Sequence, residues 1–137
     1  MSRRTARETA MRLFYEYSIT DALNSDSVNE MPDILKKDSL SSENLAYIEH
    51  VLQDFPQYRE QIDAYIAAYS KSWTIDRISK VDLSILRLAM YEILYSDVPN
   101  NIIINEAVEL AKQYSTEKSS AYINGVLGGF LKKELCQ

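Results

Sequence analysis

Cysteine occurs once in these 137 residues, as Cys136, and histidine once, as His50. One thiol makes no internal disulfide, and one histidine with one cysteine assembles no Cys/His zinc cluster. The solitary histidine also removes most nucleophile–base pairs of covalent catalysis. Three glycines and three prolines are too few to punctuate a many-turned sandwich or barrel. No apolar run approaches the ~20 residues of a membrane span, and the opening Met1-Ser2-Arg3-Arg4 lacks a signal peptide's apolar stretch. The absences predict a soluble, cytoplasmic protein with no membrane, metal or cofactor attachment.

What is present is a core and an uneven charge. With 46% hydrophobic and 26% charged residues, the chain can bury the interior of one ordinary domain. Net charge is −5, which by itself argues against general nucleic-acid binding. The average hides a segregation. Residues 1–12 carry Arg3, Arg4, Arg7 and Arg12 against Glu8 alone, while the other 125 residues hold eleven basic and nineteen acidic side chains. A second basic excess lies near the C-terminus, where Lys112, Lys118, Lys132 and Lys133 face Glu117 across residues 112–133. Cations at the start of a helix oppose its macrodipole, so helix stability does not account for arginines there.

Apolar residues recur at helical spacing in segment after segment. Ala6, Ala10, Leu13, Phe14 and Tyr17 form the first stripe. Asn24–Asp38, polar and holding Pro32, reads as a loop with a short helix around Ile34. Ser41 or Ser42 caps a helix with the stripe Leu45, Ile48, Leu52 and Phe55. Pro56 suits the first turn of another, carrying Ile62, Tyr65, Ile66 and Tyr69. Trp73–Lys80 reads as a short helix or turn. Leu83–Tyr95 is apolar nearly all round, the signature of a buried central helix. Two more stripes follow, Ile104–Ala111 and Ile123–Leu131. The sequence predicts an all-α bundle of about seven helices, a single domain over 1–137 with halves 1–70 and 71–137.

Polar faces are the informative part. At about 100° per residue, Arg4, Glu8, Arg12 and Tyr15 gather opposite the first stripe, with Arg7 at its edge. Guanidinium groups take phosphates and a ring gives a base something to stack on; the alternative is that Tyr15 packs under the 24–38 loop. On the last helix Lys118, Tyr122, Gly125, Gly129 and Lys133 line up off the apolar stripe. A glycine inside a helix costs ~1 kcal/mol relative to alanine. Close approach of another helix explains the strip, and so does close approach of an RNA backbone. Asp76, Asp82, Asp97 and Glu106 show no pairing that would make a carboxylate site. Arg87, in the central helix, needs a partner if buried, with Glu92 or a neighbouring helix able to supply it. No GxGxxG, P-loop, HExxH or GxSxG pattern occurs.

Three segments resemble the bacterial transcription antitermination factor NusB family. They are Arg3-Arg4-Thr5-Ala6-Arg7-Glu8-Thr9-Ala10 running to Leu13-Phe14-Tyr15; Val81–Leu94 followed by Asp97-Val98-Pro99; and Ile104–Lys112 followed by Tyr122-Ile123-Asn124-Gly125-Val126-Leu127. The resemblance implies an all-helical protein without enzymatic activity, its N-terminal three-helix part packed on a C-terminal helical part. It implies binding of boxA-type single-stranded RNA of rRNA leaders and spacers, together with NusE, the ribosomal small-subunit protein, within an RNA polymerase antitermination complex. By position, Arg3, Arg4, Arg7, Tyr15 and Tyr122 match RNA contacts, and the face bearing Asp76 and Asp82 matches the NusE side. The pattern departs at Thr5, which interrupts the arginine run, at Ala121, where a basic residue is common, and at Gly128, where Asp is frequent. With Arg12, Lys118, Gly125 and Lys133 from the polar faces, these residues form the expected RNA surface. Two other readings stand beside it. One is a helical adaptor or homodimer joined through the glycine strip. The other is the N-terminal module of certain rRNA cytosine methyltransferases, for whose cofactor-binding domain a chain ending at Gln137 is expected to leave no room.

Overall fold

The computed structural model describes residues 3–20, 41–70 and 75–135. The expected 24–38 loop with its helix near Ile34, Trp73 and Cys136 lie outside the described residues. In chain order the elements are α1 (Arg3–Thr20), α2 (Ser42–Tyr69), a 3-10 turn (Ile75–Arg77), α3 (Lys80–Tyr95), α4 (Asn100–Tyr114), α5 (Glu117–Phe130) and a closing π-type turn (Leu131–Leu135). No strand occurs among the described residues, so the all-α class holds, with five α-helices in place of about seven. Two compact units divide the chain, Met1–Gln57 and Tyr58–Gln137.

The difference in count centres on Pro56. The sequence reads it as the start of a new helix, yet α2 runs through it without interruption. Proline removes one backbone donor and crowds the preceding turn. Here it sits on the exposed side of α2, while Ile48, Val51, Leu52, Phe55, Ile62 and Ile66 stay buried on the other. The apolar register continues across the proline at helical spacing, and burial of that stripe outweighs one lost hydrogen bond.

In the first unit α1 buries Ala6, Ala10, Met11, Leu13, Phe14 and Tyr17. Phe14 lies 4.5 Å from Phe55 of α2 between ring centroids, and Tyr17 meets the same ring edge-on at 5.9 Å. Aromatic pairs at such offsets add to their area burial.

The second unit is built on α3, which is buried continuously from Asp82 to Ile93. It packs on α4 and α5, which also pack on each other. Ile102-Ile103-Ile104, β-branched and strand-like in isolation, forms the start of α4, where tertiary burial of Ile103 overrides propensity. Arg87 is buried and its partner is Asp63 of α2. Nε donates to Oδ1 at 2.9 Å and Nη2 to Oδ2 at 2.8 Å. This fork geometry is the strongest form of an arginine–carboxylate pair. Tyr58 stacks on Tyr95 at 3.9 Å, and the Tyr95 hydroxyl donates to Gln61. Tyr65 and Tyr69 both stand edge-on to Phe130. The Tyr69 hydroxyl donates to Glu134 at 2.6 Å, and that hydrogen bond, first among the causes, pushes its pKa up to about 12.

Candidate nucleic-acid interface

In the first unit the polar side of α1 carries Arg4, exposed, and Arg12, half-buried. Tyr15 stands on the same side, 39% exposed, while Tyr17 two residues on is core. Tyr15 therefore offers ring surface to solvent. Arg3 opens the helix. Arg7 departs from expectation: it is 6% exposed and has an interaction within the chain. The reason is a stripe wider than the sequence reading allowed. Met11 and Phe14, at i+4 and i+7 from Arg7, are both buried, and Thr9 is buried too, its hydroxyl donating to the Thr5 carbonyl at 3.0 Å. Arg7 thus belongs to the packed side of α1, and the solvent-facing guanidinium set is smaller than the sequence implied.

In the second unit, residues that the sequence placed on separate faces converge. Asp82, Lys118 and Tyr122 line one open cavity of about 440 Å³ with Arg77, Ile78, Ser79, Thr116 and Ser119. Two helix starts meet at this cavity. Ser79 caps α3 by accepting from the Asp82 amide at 3.2 Å, and Thr116 caps α5 by accepting from the Ser119 amide at 3.0 Å. Ser79-x-x-Asp82 has the spacing of a reciprocal capping box, but the carboxylate turns away from its own cap. Ser115 donates its hydroxyl to Ser119 at 2.8 Å, and Ser119 donates to Asp82 Oδ2 at 3.0 Å. Asp82 is 7% exposed, and its Oδ1 has no hydrogen-bond partner among the described residues. The sequence put Asp82 on an open face with Asp76. Asp76 is exposed on the 3-10 turn and does not line the cavity, whereas Asp82 is buried at its wall.

Tyr122 is half-buried, and its hydroxyl shares a 2.5 Å hydrogen bond with Ser70. Burial raises its pKa, the Ser70 hydrogen bond works against that, and the negative charge of Asp82 adds to the rise. Lys118 is exposed at the cavity rim, as is Arg77. The glycines divide. Gly129 packs under Tyr69, whose Cδ1 would lie 3.5 Å from an added Cβ. Gly125 is exposed, and a Cβ added there would meet nothing within 4 Å among the described residues, so no described neighbour accounts for it. Lys133 is exposed but falls in the π-type turn. That turn bonds i to i+5, which takes Lys133 off the regular line from Lys118 through Gly129.

The NusB family model matches residues 4–132. The chain belongs to the NusB family. The transcription antitermination protein NusB of Natranaerobius thermophilus is 52% identical over 132 residues, covering 93% of this chain and 92% of the relative. That of Acetivibrio thermocellus is 43% identical, covering 98% and 92%. Among solved structures, NusB of T. maritima superposes with a TM-score of 0.84 at 27% identity, covering 97% of this chain and 92% of that one. A chain from antitermination factors NusB and NusE in complex with dsRNA gives 0.79 at 26% identity, covering 95% and 96%.

For this NusB-family chain, sequence reasoning missed Arg77, Ser79, Thr116 and Ser119. The cap patterns Ser79-x-x-Asp82 and Thr116-x-x-Ser119 were legible as helix starts. That both starts open on one cavity depends on how α3 and α5 pack, which local pattern does not carry.

Proposed function

We propose that this antitermination factor binds boxA-type single-stranded RNA together with NusE and, in the cytoplasm, supports rRNA transcription as part of an RNA polymerase antitermination complex. The observation that carries this reading is the exposed Arg4 and Tyr15 on α1 of an otherwise acidic chain. A cation takes phosphate, a ring takes a base, and the acidic remainder discourages indiscriminate binding. The cavity in the second unit adds Lys118 and Tyr122. Likeness to a NusB solved with NusE and double-stranded RNA supports both partners. Self-association through the glycine strip is less favoured, because Gly129 is already covered by Tyr69 of the same chain.

The deciding experiment titrates labelled boxA RNA with the protein, with and without NusE, against a scrambled RNA. Log K should fall with log salt at a slope of about −2 to −3, from three or four phosphate contacts at ~0.7 each on a single strand. Arg4→Ala should flatten that slope by ~0.7. Equal affinity for boxA and scrambled RNA in the presence of NusE, or an Arg4→Ala, Tyr15→Ala double variant that binds like the parent, would overturn the reading.

A further inference from the structure

Most tyrosines of the second unit are held by other rings. Tyr65 and Tyr69 stand against Phe130, and Tyr58 and Tyr91 against Tyr95. Tyr122 is different. Among the described residues no ring meets it, and its one polar tether is the Ser70 hydroxyl, 2.5 Å from its own. Ser70 is 2% exposed and directly follows α2, its amide donating to the Ala67 carbonyl at 3.4 Å. It does not line the cavity, and its hydroxyl has no other partner among the described residues. Serine hydroxyls near helices commonly bond a carbonyl three or four residues back. This one is committed instead to a side chain 52 positions away.

The phenol end of Tyr122 is therefore fixed by the residue after α2, while its ring has no aromatic neighbour. Untethered, a half-exposed tyrosine on α5 would exchange between staggered rotamers. Tethered, both its torsions are set before a base arrives, and that ordering need not be supplied by the complex. We infer that Ser70 is a positioning residue for the nucleic-acid surface: buried, and without touching RNA itself, it holds the Tyr122 ring in the orientation on which a base stacks. This role rests on the RNA-binding reading above and adds to it a residue that belongs to neither the basic face nor the cavity wall. Tyr69, one residue earlier, supplies an internal comparison. It leaves the same end of α2 but is spent on Phe130 and Glu134, at the far end of α5 and beyond it.

The test is a double-mutant cycle on the full chain, titrated with labelled boxA RNA in the presence of NusE. Ser70→Ala and Tyr122→Phe each cut the tether from one side and should weaken binding alike, by about 3- to 10-fold. The double variant should lose no more than either single one. The salt slope should stay that of the parent, because no phosphate contact is removed. Tyr122→Leu, which deletes the ring, should lose more, and adding Ser70→Ala to it should change nothing further. Tyr69→Phe breaks the Glu134 bond at the same end of α2 and should bind like the parent. The ultraviolet titration of Tyr122, taken as the difference from Tyr122→Phe, should move upward in Ser70→Ala, since the serine hydrogen bond works against the rise caused by burial. Should Ser70→Ala fail to fold, Tyr122→Phe still tests the tether from the half-exposed side: parental affinity there would overturn the role. Additive losses in the cycle, or an unmoved titration, would make Ser70 merely structural and overturn it too. Parental binding by Tyr122→Leu would take the ring off the RNA surface and leave the wider RNA reading standing. No binding of boxA RNA by the parent would sink both.

Discussion

The two units of this acidic protein present their polar groups in opposite ways. On α1 the relevant side chains are long and stand at the surface, with Arg4 and Tyr15 exposed. In the second unit Arg77 and Lys118 stand exposed at the cavity rim, but much of the wall is short polar groups, hydroxyls and one carboxylate, fixed by caps and by the Ser115–Ser119–Asp82 hydrogen-bond chain. Exposed groups of the first kind contribute charge and reach. Groups of the second kind are ordered before any ligand arrives, which favours selectivity over raw attraction. Substitutions should therefore separate the two regions: changes at the surface set alter salt dependence, and changes within the second unit alter stability as well.

The largest effect is expected deep in the second unit. Asp63→Ala removes the forked partner of the buried Arg87. Losing one member of a buried pair costs about 3–5 kcal/mol; Asp63 is part-exposed, so about 3 kcal/mol in urea unfolding is expected. Arg87→Met, which removes the buried charge itself and leaves only the part-exposed Asp63 carboxylate behind, should cost less. If Asp63→Ala unfolds like the parent, the pair does not hold α2 to α3.

Next comes Ser119→Ala, which removes the hydroxyl that donates to Asp82 Oδ2 and leaves neither carboxylate oxygen a donor among the described residues. A loss of about 1–3 kcal/mol is expected, larger than that of Arg4→Ala, an exposed substitution expected within about 0.5 kcal/mol of the parent. Equal losses from the two would erase the contrast between the regions.

Gly125→Ala should act in the other direction. The site is helical, exposed and open, so alanine should gain about 1 kcal/mol while weakening RNA binding if a backbone approaches there. A stabilised variant with unchanged affinity would remove Gly125 from the interface.

The smallest effect is a titration. Tyr69 is held protonated up to about 12 chiefly by its hydrogen bond to Glu134. A raised phenol pKa contributes stability fully below its ordinary value of about 10, and that contribution is lost as pH rises through about 12. Glu134→Gln should move the ultraviolet titration of this tyrosine back toward 10, with little change at neutral pH.

Much of the fold was legible before any coordinates. The stripe on α1 and the all-round apolar α3 follow from period and composition, because burial of a stripe is what holds such helices in place. Pro56 misled because a local rule about proline ignores which side of the helix it occupies. Arg7 misled because Met11 had been left off the first stripe, so a core position looked like an edge. At the site, Lys118 and Tyr122 were found from helical spacing. The convergence with Asp82, Arg77 and the two caps was not, since it joins residues more than thirty positions apart in sequence.

The unbroken burial of α3 has a consequence for the timing of exchange with solvent. A helix with a wet side can fray and return while the rest of its unit stays shut, but from Asp82 to Ile93 there is no such side. Its amide protons can be replaced only when the whole second unit opens. Deuterium uptake along that stretch is thus a direct reading of the unit's global stability.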